Sequence, residues 1–219
     1  NQDRRIATIG PTDSLFSEQY VFAAAAVAWA APEGEPQNYV ERFAEAQDLV
    51  GEVEVFDNPL GNEIVSSEEQ VMELAHRLRA AWNIGTGSLG RVIELLEEHG
   101  VRVLLLDEDD AIDGLFVFAD TSIPVVVVNK RNKSIERLRF TIIHELAHGL
   151  LNFSEEILAN ERRVEELCHL FSTCFLLPKE ALVKAFGNKP RYFRIEELLK
   201  IKLSYGISLR AIIHRLERE

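Results

Sequence analysis

The segment from Ile135 to Leu151 contains no proline, follows the helix-capping residue Ser134, and carries His144-Glu145-Leu146-Ala147-His148 in its middle. No other stretch limits the fold as tightly. Ile143, Leu146, Ala147 and Leu150 fall at helical spacing on a face adjoining the two histidines, so the helix can bury one side and present the other. Residues four apart on an α-helix lie one above the other. His144 and His148 can therefore aim both imidazoles at one point, with Glu145 projecting beside them.

That pattern is the signature of the zinc proteases, in which two histidines hold the ion and the glutamate acts as general base toward a water. The plainer alternative is an amphipathic helix with two incidental histidines. A catalytic zinc needs a third protein ligand and leaves its fourth position open. The next helical run, Asn160 to Phe171, ends before Pro178 and carries Glu161, Glu165 and Glu166 as candidates. Val164, Leu167, Phe171 and Phe175 form its apolar stripe, while Glu161, Glu165, His169 and Ser172 share another face. Glu165 is favoured, because His169 lies one turn on and can hydrogen-bond a metal-bound neighbour. With imidazoles and carboxylates at hand, Cys168 and Cys174 are expected to be reduced core residues rather than ligands; six apart in one helix, they stand about 9 Å apart along its axis, too far to bridge.

The run Arg139-Phe140-Thr141-Ile142 through His148, then Glu165-Glu166-Leu167-Cys168-His169-Leu170-Phe171 and Leu176-Leu177-Pro178, resembles the ImmA/IrrE family of metallopeptidases, itself similar to the gluzincins. The similarity extends roughly from Val71 to Leu216 and takes in Trp82-Asn83-Ile84-Gly85, Asp113-Gly114-Leu115 and Ser208-Leu209-Arg210-Ala211. The resemblance implies that His144, His148 and Glu165 are metal ligands, that Glu145 is the catalytic base, and that His169 supports the site from outside the ligand set. Two positions depart from the family. Ala147 stands where Gly is usual, and His169 where Asn or Asp is usual, which brings in an imidazole that can itself compete as a ligand.

The implied cofactor is zinc, although imidazole and carboxylate also suit Mn²⁺ and Fe²⁺. The implied activity is a cytoplasmic metallo-endopeptidase that cleaves a helix-turn-helix repressor, with antitoxin-like regulators as further partners. An edge strand of its sheet would pair with the extended substrate. The alternative is a non-catalytic, zinc-containing binding module that sequesters a repressor or antitoxin; an intact Glu145 weighs against it.

A net charge of −12 argues against broad electrostatic binding of nucleic acid. Lys130, Arg131, Lys133, Arg137 and Arg139 form the one basic cluster, read as a solvated loop and helix start. The apolar run Tyr20 to Ala31 lacks a basic start and is too short to span a bilayer, so neither a targeting segment nor a membrane anchor is expected.

The remaining pattern predicts an α+β fold with a zincin-like core: helices, a small and mostly antiparallel three-stranded sheet, then two metal-bearing helices. Ser67 and Gln70 form a capping box for a helix through Ala81, and a second helix spans Ser88 to His99. The three strands run Val101 to Leu106, Gly114 to Ala119 and Ile123 to Asn129. Ile195 to Leu216 holds two short helices around Tyr205-Gly206. The expected division is a region of unassigned role at 1–62, the peptidase domain at 63–178 and a helical appendage at 179–219. For an oxyanion donor, Tyr192, Tyr205 and His214 are available, and nothing in the sequence selects among them.

Overall fold

The structure is a computed structural model and describes residues 56–107, 113–119, 123–187 and 193–218. The apolar run at Tyr20 to Ala31 and Tyr192 lie outside the described residues.

The order of elements is β1 (Ile64–Val65), α1 (Glu68–Ala81), α2 (Val92–Glu98), β2 (Arg102–Leu106), β3 (Gly114–Ala119), β4 (Ile123–Asn129), α3 (Ile135–Leu150), β5 (Asn152–Phe153), α4 (Glu155–Leu158), α5 (Glu161–Leu176), α6 (Lys179–Phe186), α7 (Ile195–Tyr205) and α8 (Leu209–Leu216). Local chemistry sets most of these boundaries. Ser67 and Gln70 close the capping box of α1, Ser134 accepts from the Arg137 amide at the start of α3, and Asn160 accepts from the Arg163 amide at the start of α5. Each cap satisfies an amide that the first helical turn leaves unpaired.

The fold is α+β, but its sheet is mixed rather than mostly antiparallel. The strands lie in the order β2-β4-β3; β4 pairs antiparallel with β3 and parallel with β2 over the full length of β2. The physical reason is β4 itself. Ile123-Pro124-Val125-Val126-Val127-Val128-Asn129 is buried at every position, and a run without polar alternation belongs in the middle of a sheet. Val126 and Val128 face the main core, while Val125 and Val127 join Leu106 and Ile123 on the opposite face. A second, two-stranded parallel pairing of β1 with β5 has no counterpart in the sequence pattern.

Helix α2 begins at Val92 rather than Ser88. The Leu89 and Gly90 carbonyls, which a longer helix would use, instead accept from the Arg139 guanidinium at 2.7 Å each. Arg139 thus leaves the basic cluster to become a clamp. The other four cations face acids: Lys130 and Arg131 lie 3.5 and 3.8 Å from Asp107, and Lys133 and Arg137 lie 3.1 and 3.2 Å from Asp113.

The main core places α3 between the sheet and α5. Ile142, Ile143, Leu146 and Leu150 of α3 join Leu167, Phe171 and Phe175 of α5 and Leu74 and Leu78 of α1, all nearly or completely buried. Burying each such side chain contributes roughly 1.5–3 kcal/mol. Ile201, Ile207 and Ile212, from the C-terminal helices and the turn between them, enter the same core. Lys202 of α7 pairs with Glu136 in the first turn of α3, which ties that helix pair to the histidine-bearing helix.

Candidate metal centre

Because α3 is held against the sheet on one side and α5 on another, its motif is fixed in the interior. His144, Glu145 and His148 are only 8%, 8% and 7% exposed. Helix α5 lies across them and brings one carboxylate to the pair. Glu165 Oε2 stands 3.1 Å from His144 Nε2, Glu165 Oε1 stands 3.2 Å from His148 Nε2, and the two Nε2 atoms are 3.1 Å apart.

Those separations can be compared with the demands of an ion. Donors about 2.0–2.1 Å from a tetrahedral zinc lie about 3.3 Å from one another. The three side chains fit that triangle. Their chemistry agrees: two imidazole nitrogens face each other in a buried space, where only a shared proton or a cation between them relieves the repulsion of their lone pairs.

The other acidic candidates point elsewhere. Glu166 is engaged by Arg162 at 3.0 Å and Arg163 at 3.4 Å, and Glu161 is exposed at the first turn of α5. His169 lies beside the triad, its ring centroid 4.6 Å from that of His144, with Phe140 5.5 Å away on another side. His144, Glu165 and His169 each place one donor atom within 4.8 Å of the others. The hydrogen bond that an outer support would make to His144 is not formed: among the described residues His144 Nδ1 is buried without a hydrogen-bond partner.

Glu145 is set against a different neighbour. Its carboxylate abuts the backbone of Gly114, the first residue of β3. Burial pushes its carboxyl up to about 7, with the nearby His148 acting in the opposite direction. The two imidazoles hold the Glu165 carboxylate far below the usual range. Two carboxylates on adjoining helices are thereby given opposite tendencies: Glu165 stays anionic, as a metal-binding carboxylate must, and Glu145 is poised to exchange a proton near neutral pH.

Sequence reasoning missed several contributors. Cys168 is completely buried with its Sγ 3.6 Å from His148 Nδ1, on the side of the ring away from Glu165; it backs the imidazole rather than joining the ligand set. Its position three residues after Glu165, one turn along α5, is the signal that finds it. Gly114 carries no task in the sequence, because its role is defined only by the helix that lies beside it. Gly149 packs under the ring of Phe116, another close approach between α3 and β3. Of the oxyanion candidates, Tyr205 donates its hydroxyl to the Thr86 carbonyl at 3.2 Å, and His214 sits on α8.

The family model of the IrrE N-terminal-like domain, Peptidase_M78, matches residues 96–217, which include every residue of the centre just described. The match covers more than half of the chain, and the chain belongs to this family of metallopeptidase-like domains. It begins downstream of Trp82-Asn83-Ile84-Gly85, so that part of the resemblance lies outside it. Among solved structures, a transcriptional regulator from Mycobacterium tuberculosis is similar at 19% identity, with a TM-score of 0.49, covering 70% of this chain and 47% of that one. The chain therefore spans about half the length of that protein. No curated protein matches the chain. Among the described residues, no helix is long and apolar enough to cross a membrane.

Proposed function

We propose that the chain is a zinc-dependent endopeptidase with a zincin-like core that hydrolyses a peptide bond in a regulatory protein, a helix-turn-helix repressor. The observation that carries this reading is the convergence of His144, His148 and Glu165 at 3.1–3.2 Å with the buried carboxylate of Glu145 alongside. His144, His148 and Glu165 would hold the ion; bound there, zinc would polarise the scissile carbonyl and acidify a water, and Mn²⁺ or Fe²⁺ would also suit the donors. Glu145 takes the proton of the attacking water on its carboxylate and passes it to the leaving amine. A carboxyl pushed up to about 7 suits both halves of that transfer.

The position of β3 supports recognition of an extended segment. Among the described residues it is an edge strand, paired with β4 on one side, and it meets α3 at Gly114 beside Glu145 and at Phe116 over Gly149. Strand β4 is central, and β2 lies at the far edge. An added strand on β3 would pass the catalytic carboxylate, and it would require a substrate segment that unfolds locally, as a linker in a folded regulator does. The acidic balance of −12 favours a protein partner over nucleic acid, and we assign the enzyme to the cytoplasm.

The test is incubation of the full chain and Zn²⁺ with a candidate helix-turn-helix repressor, using wild type and Glu145→Gln. Cleavage by wild type alone, at equal zinc content, is the expected result. Equal cleavage by the variant removes Glu145 as base, and capture of an uncut regulator by both forms replaces the enzyme with a binding module.

A further inference from the structure

Helices α3 and α5 present matching pairs to one another. His144 and His148 are four residues apart on α3, and Glu165 and His169 are four residues apart on α5. Three of these side chains converge into the ligand triangle described above. His169 is the fourth, with a donor atom within 4.8 Å of donor atoms of both His144 and Glu165.

We propose that His169 is a fourth protein donor that closes the metal centre at rest and is displaced by the incoming peptide. This rests on the reading of His144, His148 and Glu165 as ligands. Three observations support it. Toward His144 and Glu165 the remaining span exceeds the tetrahedral donor spacing of about 3.3 Å by at most about 1.5 Å, a movement within reach of a side-chain rotation. Among the described residues His169 is exposed, with the rings of His144 and Phe140 as its aromatic neighbours, so the rotation is open toward solvent. An outer hydrogen bond from His169 to His144 Nδ1 is not formed among the described residues, where that buried nitrogen has no partner.

Chemically, three protein donors leave an ion open to water and substrate, whereas four enclose it. A closed centre that opens only when a peptide carbonyl competes with His169 would keep the enzyme idle until a segment is seated along β3. An imidazole suits this role because it binds as a neutral ligand and leaves without a proton being moved.

Cobalt(II) provides the test, because its visible bands report coordination number and the entry of outside ligands. The full chain is loaded with Co²⁺ and titrated with azide, as wild type and as His169→Asn. We expect four-coordinate bands that azide leaves unshifted in wild type, and bands that azide shifts in the variant. A four-coordinate wild-type spectrum that azide shifts overturns the proposal, and this wild-type measurement decides alone should the variant fail to fold. A Co²⁺ spectrum that survives unchanged in His148→Ala would instead remove the underlying ligand assignment, so the two failures are distinguishable.

Discussion

A Cβ placed on Gly114 would stand 2.6 Å from Oε1 of Glu145, closer than a carbon and a carboxylate oxygen can approach. The first residue of β3 and the motif glutamate of α3 are therefore in direct contact, and the absence of a side chain on one sets the position of the other. Gly114→Ala is expected to push the Glu145 carboxylate aside without touching a ligand. A misplacement on the order of 1 Å lowers catalysis by about 100-fold. Cleavage assays paired with zinc analysis check this: activity should fall while bound metal stays at the wild-type level.

Gly149 and Phe116 make the second close approach between the same elements. A Cβ on Gly149 would lie 2.1 Å from the Phe116 ring, so the ring must leave its place over α3. Gly149→Ala should destabilise the fold by about 1–3 kcal/mol, the usual range for an overpacked core. Urea denaturation measures the loss, and Phe116→Leu combined with Gly149→Ala should recover part of it.

Chelation should lower thermal stability. The donor triangle exists only in the folded chain, so an ion bound there stabilises the folded state by mass action, by about 4 kcal/mol at a free concentration a thousandfold above its dissociation constant. The melting temperature should drop with EDTA and return with Zn²⁺. In Glu165→Ala that dependence should largely vanish, and a variant retaining the full zinc-induced shift would contradict the assignment of Glu165.

Acid should loosen the link between α3 and α7. The Lys202 ammonium, the backbone and Ser134 hold the Glu136 carboxyl down to about 2, from an ordinary value near 4.5. Because the folded value is depressed, the contribution is complete above about pH 4.5 and fades as the pH falls toward 2. Glu136→Gln should therefore be less stable than wild type at neutral pH, with the difference shrinking across that window. Both side chains are partly exposed, so added salt should also narrow the gap. Thermal melts from pH 7 to 2 at two ionic strengths test this.

What could be read from the chain follows how local each signal is. Ser67 with Gln70, Ser134 and Asn160 mark helix starts through contacts within one turn, and the bounds of α1, α3 and α5 fall close to those the sequence predicts. The strands are equally legible, since their apolar runs are bracketed by turn residues. Their partners are not. The parallel pairing of Arg102–Leu106 with Val125–Asn129 and the two-residue match of Ile64–Val65 with Asn152–Phe153 depend on segments far apart in the chain. The late start of α2 is similar, because the residue that claims the Leu89 and Gly90 carbonyls, Arg139, is about fifty positions away. For the centre, the α3 pentapeptide announces itself. Spacing alone leaves Glu161, Glu165 and Glu166 open, and the angle at which α5 crosses α3 is what brings Glu165 to the imidazoles.

The same helix that offers its polar side chains to an ion also fills the centre of the molecule, with Ile143, Leu146 and Ala147 interleaved among His144, Glu145 and His148. Mutational drift is therefore not free to erase this motif gradually. Replacing either imidazole would disturb a packed interior as well as a binding group. Glu145 is the exception, since an amide of the same shape occupies its place beside Gly114. Were a descendant of this chain to lose the proposed hydrolysis yet keep a metal in place, position 145 is where the change would be written first.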